Sequence, residues 1–186
     1  MSNDLSVDLD LRDSMLKATP NLRAFAISLT NNVDRADDLV QETLMRAIAN
    51  IHRFQPGTNM QAWLFTILRN LFHSEYRKRR REVEDADGKY AAALSVQPDQ
   101  LPHLDFEDLQ QALARLPHDQ REALLLVGAS GFSYEQAAEI CGCAVGTIKS
   151  RVNRARNRLA ELMHFTDMEE DLGPDRVTLS VMHAVA

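Results

Sequence analysis

The stretch Ser133-Tyr134-Glu135-Gln136-Ala137-Ala138-Glu139-Ile140-Cys141-Gly142-Cys143-Ala144-Val145-Gly146-Thr147-Ile148-Lys149-Ser150-Arg151 reads as two short helices joined by a tight turn. Ser133, followed three residues later by Gln136, is a capping box that opens the first helix. Ala137 and Ala138 are small where two helices must cross closely, and Gly142 can take the positive φ needed just past a helix end. Val145 and Ile148 are placed to face inward and fix the second helix against the first. That leaves Thr147, Lys149, Ser150, Arg151, Asn153, Arg154 and Arg156 on outer faces. A helix lying in the major groove reaches base edges with its N-terminal residues, while flanking Arg and Lys hold phosphates. Arg to guanine and Asn to adenine are the expected specific pairings. A merely solvated amphipathic helix would not require turn, caps and basic outer face together.

Outward from this motif, periodicity is helical nearly everywhere. Leu22, Phe25, Ala26 and Leu29 follow the i, i+3, i+4, i+7 pattern of an amphipathic helix. A second helix is expected from an Asp34 N-cap, burying Leu39, Val40, Thr43, Leu44, Ala47, Ile48 and Ile51. Pro56-Gly57 then breaks the chain, and Asn59 can cap a third helix with Trp63, Leu64, Ile67, Leu68 and Leu71 on its apolar side. Residues 1–10 and 83–104 lack periodicity, and the latter contain Gly88, Pro98 and Pro102, as a linker would. Helical spacing resumes at Phe106, Leu109, Ala112, Leu113 and Leu116, followed by helices over Asp119–Gly128, Ser133–Cys141 and Val145–Met163. No segment alternates as a strand. The fold class is all-α: two small helical domains joined by a flexible linker. The expected boundaries are a disordered arm over 1–10, a first domain over 11–82, the linker 83–104, a second domain over 105–165 and a tail over 166–186.

The 186 residues carry a net charge of −6, which seems to argue against a nucleic-acid partner. The average conceals blocks. Residues 69–82 hold six basic and two acidic residues, net +4, while 83–112 reverse to −6 and 113–165 return to +2. Two basic islands separated by an acidic stretch suit two polyanion contacts. No window approaches the apolar length of a membrane span, and no leader opens the chain, so an intracellular protein is expected. Cys141 and Cys143 have no other thiol to pair with and read as small buried hydrophobes. His52, His73, His103, His118, His164 and His183 show no ligand spacing along the sequence. No phosphate-cradling loop or nucleophile elbow is present. Neither catalytic residues, nor a metal, nor a cofactor is expected.

The chain resembles the extracytoplasmic-function (ECF) sigma factors of bacterial RNA polymerase, the minimal kind with only the second and fourth sigma domains. The resemblance rests on Asp38-Leu39-Val40-Gln41-Glu42-Thr43, on Gln61-Ala62-Trp63-Leu64-Phe65-Thr66-Ile67-Leu68-Arg69-Asn70, and on Leu116-Pro117 through Leu162. Within the family, Gly131-Phe132-Ser133 through Cys143 is similar to the EcfG-type general stress response group of alphaproteobacteria.

The resemblance implies that the second helical domain reads the promoter −35 element. The first reads and melts the −10 element by capturing non-template-strand bases, a capture that must offset a few kcal/mol of lost stacking. Asn59, in the loop Phe54–Met60, matches the position of the family's base-capturing loop. Trp63 offers stacking surface, with core packing the competing use. Asn70, His73, Ser74 and Arg77 form one polar stripe leading into Arg80 and Arg81. Asp38, Gln41 and Glu42, at i, i+3, i+4, form an exposed face matching the family's docking helix for the clamp of the polymerase largest subunit. The fourth domain implies a β-flap contact. An anti-sigma factor of NepR type is the implied inhibitor, and the free protein is expected to be a cytoplasmic monomer without membrane contact. A sigma-like decoy that sequesters the inhibitor would not need the Lys149–Arg156 face. A stand-alone helix-turn-helix regulator would not need the Trp63–Asn70 block.

Overall fold

The computed structural model describes residues 2–85 and 104–163, with backbone only for 2–10, 80, 82–85 and 104–107. The expected tail over 166–186 and nearly all of the expected linker lie outside the described residues. Three helices and a short turn make the first unit: α1 (Ser2–Thr30), α2 (Val33–Ala49), a 3-10 turn (Ile51–Arg53) and α3 (Met60–Asp85). Then come α4 (Leu104–Ala114), α5 (His118–Leu124), a π-helical turn (Leu125–Ala129), α6 (Tyr134–Cys141) and α7 (Val145–Leu162). No strand occurs among the described residues.

Apolar spacing decides which faces meet. Leu22, Phe25, Ala26 and Leu29 of α1 are buried, as expected, against Leu39, Val40 and Ala47 of α2 and Leu64, Leu68 and Leu71 of α3. Three details differ from the sequence expectation. Helix α1 begins at Ser2, so the backbone expected to be an arm over 1–10 is helical from there; extending a nucleated helix adds one hydrogen bond per residue fixed and needs no apolar stripe. The N-cap of α2 is Asn32, whose Oδ1 accepts the Arg35 N–H at 2.8 Å, and Asp34 lies in the first turn. Asn31, at φ +50°, turns the chain out of α1 and leaves Asn32 extended, as a cap requires. Ile48 is 64% exposed. The buried row of α2 runs Leu39, Thr43, Ala47, and Ile48 sits a third of a turn away from it. The Asn59 cap forms as expected, its Oδ1 accepting the Ala62 N–H at 3.2 Å.

In the second half, Leu109, Ala112, Leu113 and Leu116 are buried as the spacing requires. The single helix expected over Asp119–Gly128 is α5 followed by the π-helical turn, closed by the Ser130 N–H on the Leu125 carbonyl at 2.9 Å. The bulge keeps Ala123, Leu124, Leu125 and Leu126 all buried, more than one side of a regular helix presents. The capping box is complete in both directions: Ser133 Oγ accepts the Gln136 N–H at 3.1 Å, and the Ser133 N–H donates to Gln136 Oε1 at 3.0 Å. Gly142 ends α6 at φ +63°, a conformation that a side chain would strain. Ile148 is fully buried and Val145 half-buried. Replacing Ser133 with alanine is expected to cost about 1 kcal/mol, read as a lower urea midpoint with an unchanged slope.

The two helical units pack directly on one another. Phe65 of α3, fully buried, meets Phe25 of α1 at 5.0 Å between ring centroids and Phe132 of the second unit at 4.9 Å. Buried Arg121 of α5 donates to the Ser28 carbonyl of α1 at 3.2 Å and to the Ala114 and Leu116 carbonyls at 2.9 and 3.3 Å. Its three carbonyl acceptors offset the desolvation that lowers its pKa. The two basic faces thus belong to units that are in direct contact.

Candidate nucleic-acid interface

The turn between α6 and α7 sets the direction of α7, and burial of Ile148, Val152, Ala155 and Leu159 fixes its rotation. Lys149, Ser150, Asn153 and Arg154 therefore project to solvent on one outer face. Lys149 Nζ lies 5.8 Å from the Tyr134 ring centroid, which braces the base of this face. Thr147, Arg151 and Arg156 are half-buried at its edges. Arg151 is tied back: its Nε lies 3.1 Å from Asp119 Oδ2 on α5, and its Nη1 is 3.9 Å from Cys143 Sγ. Cys141 is buried, and burial pushes its thiol up to about 12, which suits a packing residue rather than a reactive one.

On α3, Asn70, Ser74, Arg77 and Arg81 are exposed along one stripe, and Asn59 stands exposed at the helix entry. The Arg80 side chain lies outside the described residues. Trp63 is half-buried, packed on the core beside Phe54 with ring centroids 5.4 Å apart. On α2, Asp38 and Gln41 are exposed, whereas Glu42 pairs with Arg46 at 2.6 Å. Two residues that the sequence placed differently or passed over join this face: Met45 and Ile48 are 59% and 64% exposed, one and two turns further along from Gln41. Large apolar side chains left bare beside acidic ones are the usual composition of a docking surface.

His73 is the member of the α3 stripe that does not face open solvent. Its Nε2 lies 3.2 Å from Glu122 Oε1 of α5, and Arg69 Nε approaches the same oxygen at 2.8 Å. Glu122 is fully buried. Burial alone would raise its pKa, but the His73 hydrogen bond and the Arg69 charge outweigh that and hold it ionised, below the ordinary range. His118, stacked on Phe72 at 4.8 Å, is pushed down to about 4 by burial. Arg69, His118 and Glu122 were not singled out from the sequence. The available signal was Arg121-Glu122, a charged pair opening a run of consecutive apolar residues, where charge survives only with partners.

The depressed His118 pKa predicts a stability slope. Unfolded chain takes up this proton near pH 6.5 and folded chain only near 4, so stability is lost as pH falls through that window. Thermal melts at stepped pH should show the decline, and His118→Gln should flatten it between those two values.

A capped helix-turn-helix with a basic outer face, joined to a second helical unit bearing a separate basic stripe, defines a two-part DNA-reading protein. Residues 16–82 match the model of Sigma-70 region 2, and residues 106–159 match that of Sigma-70, region 4. The chain is 69% identical over 172 residues to the ECF RNA polymerase sigma factor EcfG of Rhodopseudomonas palustris, covering 92% of this chain and 94% of that one. It is 39% identical over 155 residues to the ECF sigma factor SigC of Mycobacterium tuberculosis, covering 79% of this chain and 80% of that one. Among solved structures, the sigma factor RpoE of Bartonella quintana, in complex with the anti-sigma factor NepR, matches with a TM-score of 0.76 and 57% identity. That match covers 84% of this chain and 98% of the other. The chain belongs to the ECF family of RNA polymerase sigma factors, a non-enzymatic family, and within it to the EcfG type of the general stress response. Among the described residues, no helix is long and apolar enough to cross a membrane.

Proposed function

We propose that the outer face of α7 reads the −35 element as duplex and that the α3 stripe engages the −10 element as it melts. The observation that carries this is the exposed row Lys149, Ser150, Asn153 and Arg154 on a helix whose rotation is fixed by its buried side. Thr147, Arg151 and Arg156 flank that row, and Arg151 contributes from its Asp119-braced position. On α3, Asn70, Ser74 and Arg77 line the path to the cluster ending at Arg80 and Arg81, while exposed Asn59 and half-buried Trp63 are assigned to the entry of a captured base. Backbone charge contacts of this kind make affinity fall steeply with salt.

Docking on the clamp of the polymerase largest subunit is assigned to Asp38, Gln41 and Glu42, with Met45 and Ile48 as the apolar part of the same face. The second unit would contact the β flap. Inhibition by a small anti-sigma protein of NepR type is supported by the likeness to the Bartonella sigma factor, whose structure is that of a NepR complex. The site of action is the cytoplasm, and the free protein is a monomer.

Arg154→Ala is expected to lower affinity for a −35 duplex by about 1–3 kcal/mol per lost base contact, with unchanged thermal stability. Arg151→Ala should lower both, because it also releases Asp119. Asn70→Ala with Arg77→Ala should leave −35 binding near wild type but reduce melting in permanganate footprints of the open complex. Wild-type binding by Arg154→Ala, or unchanged melting in the double variant, would remove the corresponding assignment.

A further inference from the structure

The contact between the two helical units contains a cluster that promoter reading does not require. His118 and Glu122 lie one turn apart on α5 and face His73 on α3, and one ligand atom from each lies within 4.8 Å of the other two. Glu122 is fully buried, its Oε1 is shared by His73 Nε2 and Arg69 Nε, and its Oε2 has no hydrogen-bond partner. His118 Nε2 is likewise buried without a partner. An orphaned carboxylate oxygen and an orphaned imidazole nitrogen each cost desolvation free energy, and here they occur together beside a second imidazole. The His118 ring is held in place between Phe72, at 4.8 Å and nearly parallel, and Tyr76, at 5.8 Å.

We infer that His73, His118 and Glu122 form a binding site for a borderline divalent cation such as Zn2+, bridging the two sigma regions. Two imidazoles and one carboxylate are a donor set that zinc accepts, with a further position left for water. The cation takes the place of the proton shared between His73 Nε2 and Glu122, and it supplies the missing partner of His118 Nε2. Half-buried His73 and His118 give the ion a route in. Arg69 opposes it: a guanidinium against Glu122 Oε1 repels a cation, which sets the site in the exchangeable range rather than that of a permanent structural zinc. The consequence is a tie between α3 and α5 that withholds His73, a member of the −10 stripe, from DNA. The spacing of histidines along the sequence cannot show this site, because His73 and His118 lie 45 positions apart and only the packing of the two units unites them.

The test is Zn2+ titration of the metal-stripped full chain against a chromophoric chelator, with Co2+ absorption as a second probe. One equivalent should bind with micromolar or tighter affinity, raise the melting temperature and give the visible bands of a low-coordinate Co2+ site. His118→Gln and Glu122→Gln, checked for fold by circular dichroism, should each weaken binding by at least about 10-fold. Arg69→Gln keeps all three ligands and removes the repelling charge, so it should tighten binding several-fold. Two further chains should bind as wild type: Cys141→Ala with Cys143→Ser, and one with His103, His164 and His183 replaced by alanine. Absence of saturable binding at about 100 micromolar, unchanged affinity in the two ligand variants, or loss of binding in the cysteine variant would overturn the site.

Discussion

Phe65→Ala is expected to lower folding stability by about 3–5 kcal/mol, the range for removing a fully enclosed aromatic ring. Phe65 is fully buried and touches a ring from each side, Phe25 of its own unit and Phe132 of the other. Its loss removes transfer free energy, leaves a cavity that two different units must collapse to fill, and deletes two edge or tilted ring contacts. Those ring pairs add about 0.5–1.5 kcal/mol each beyond area. Urea denaturation followed by circular dichroism reads the effect, and Phe65→Leu should cost much less because most of the volume remains. Trp63→Ala is the internal comparison. Trp63 is only half-buried, so it should cost less stability while reducing open-complex formation more. Equal destabilisation by the two alanine variants would mean that Phe65 is not the joint between the units.

Glu122→Ala is the second large effect, about 2–3 kcal/mol. The carboxylate is the only acid touching both Arg69 and His73 in the described residues, and removing it leaves the Arg69 guanidinium and the His73 imidazole of α3 without their acceptor on α5. The cost stays below that of a fully enclosed pair because the Arg69 and His73 side chains are 17% and 29% exposed and can reach water. Glu122→Gln separates shape from charge: it retains the packing volume but forfeits the charge-assisted bonds, and it should fall between wild type and alanine. The proposed place of His73 in the −10 stripe gives the substitution a functional side. With Glu122 neutralised, Arg69 and His73 are both released from it, and the variant's binding to −10 single strand should be tighter and more salt-dependent. Binding weaker than wild type in a folded Glu122→Gln chain would contradict this placement of His73.

How far the sequence could be read depended on the range of the interactions concerned. The Ser133/Gln136 box, the Gly142 turn and the inward Ile148 are set within a few residues of one another, and all three form as the spacing requires. The exposed face of α7 follows from the same local periodicity. Asn32 in place of Asp34 as a cap was hidden because the choice depends on Asn31 entering the left-handed region, which no pattern of apolar residues reveals. Ile48 was assigned to the core by its chemistry, while the row Leu39, Thr43, Ala47 shows which side of α2 is buried. The π-helical turn after Leu124 was invisible for a similar reason: an apolar run fits a regular helix and a bulged one equally. Most of what was missed is long-range. Glu122 meets Arg69 and His73 from about fifty positions away, and Arg151 reaches Asp119 across the turn motif. Charge blocks counted along the chain place both basic islands correctly, but they cannot show which cations are neutralised by a partner in space.

In the function proposed above, one chain carries both promoter-reading faces and a polymerase-docking face. The decoy reading shares the fold and the inhibitor but has no use for the exposed α7 row. Run-off transcription with core RNA polymerase, on a template bearing matched −35 and −10 elements, separates the two most directly. The chain should yield a promoter-specific transcript that Arg154→Ala reduces sharply and that addition of a NepR-type inhibitor abolishes. A chain that binds the inhibitor yet yields no promoter-specific transcript would contradict promoter recognition by this protein.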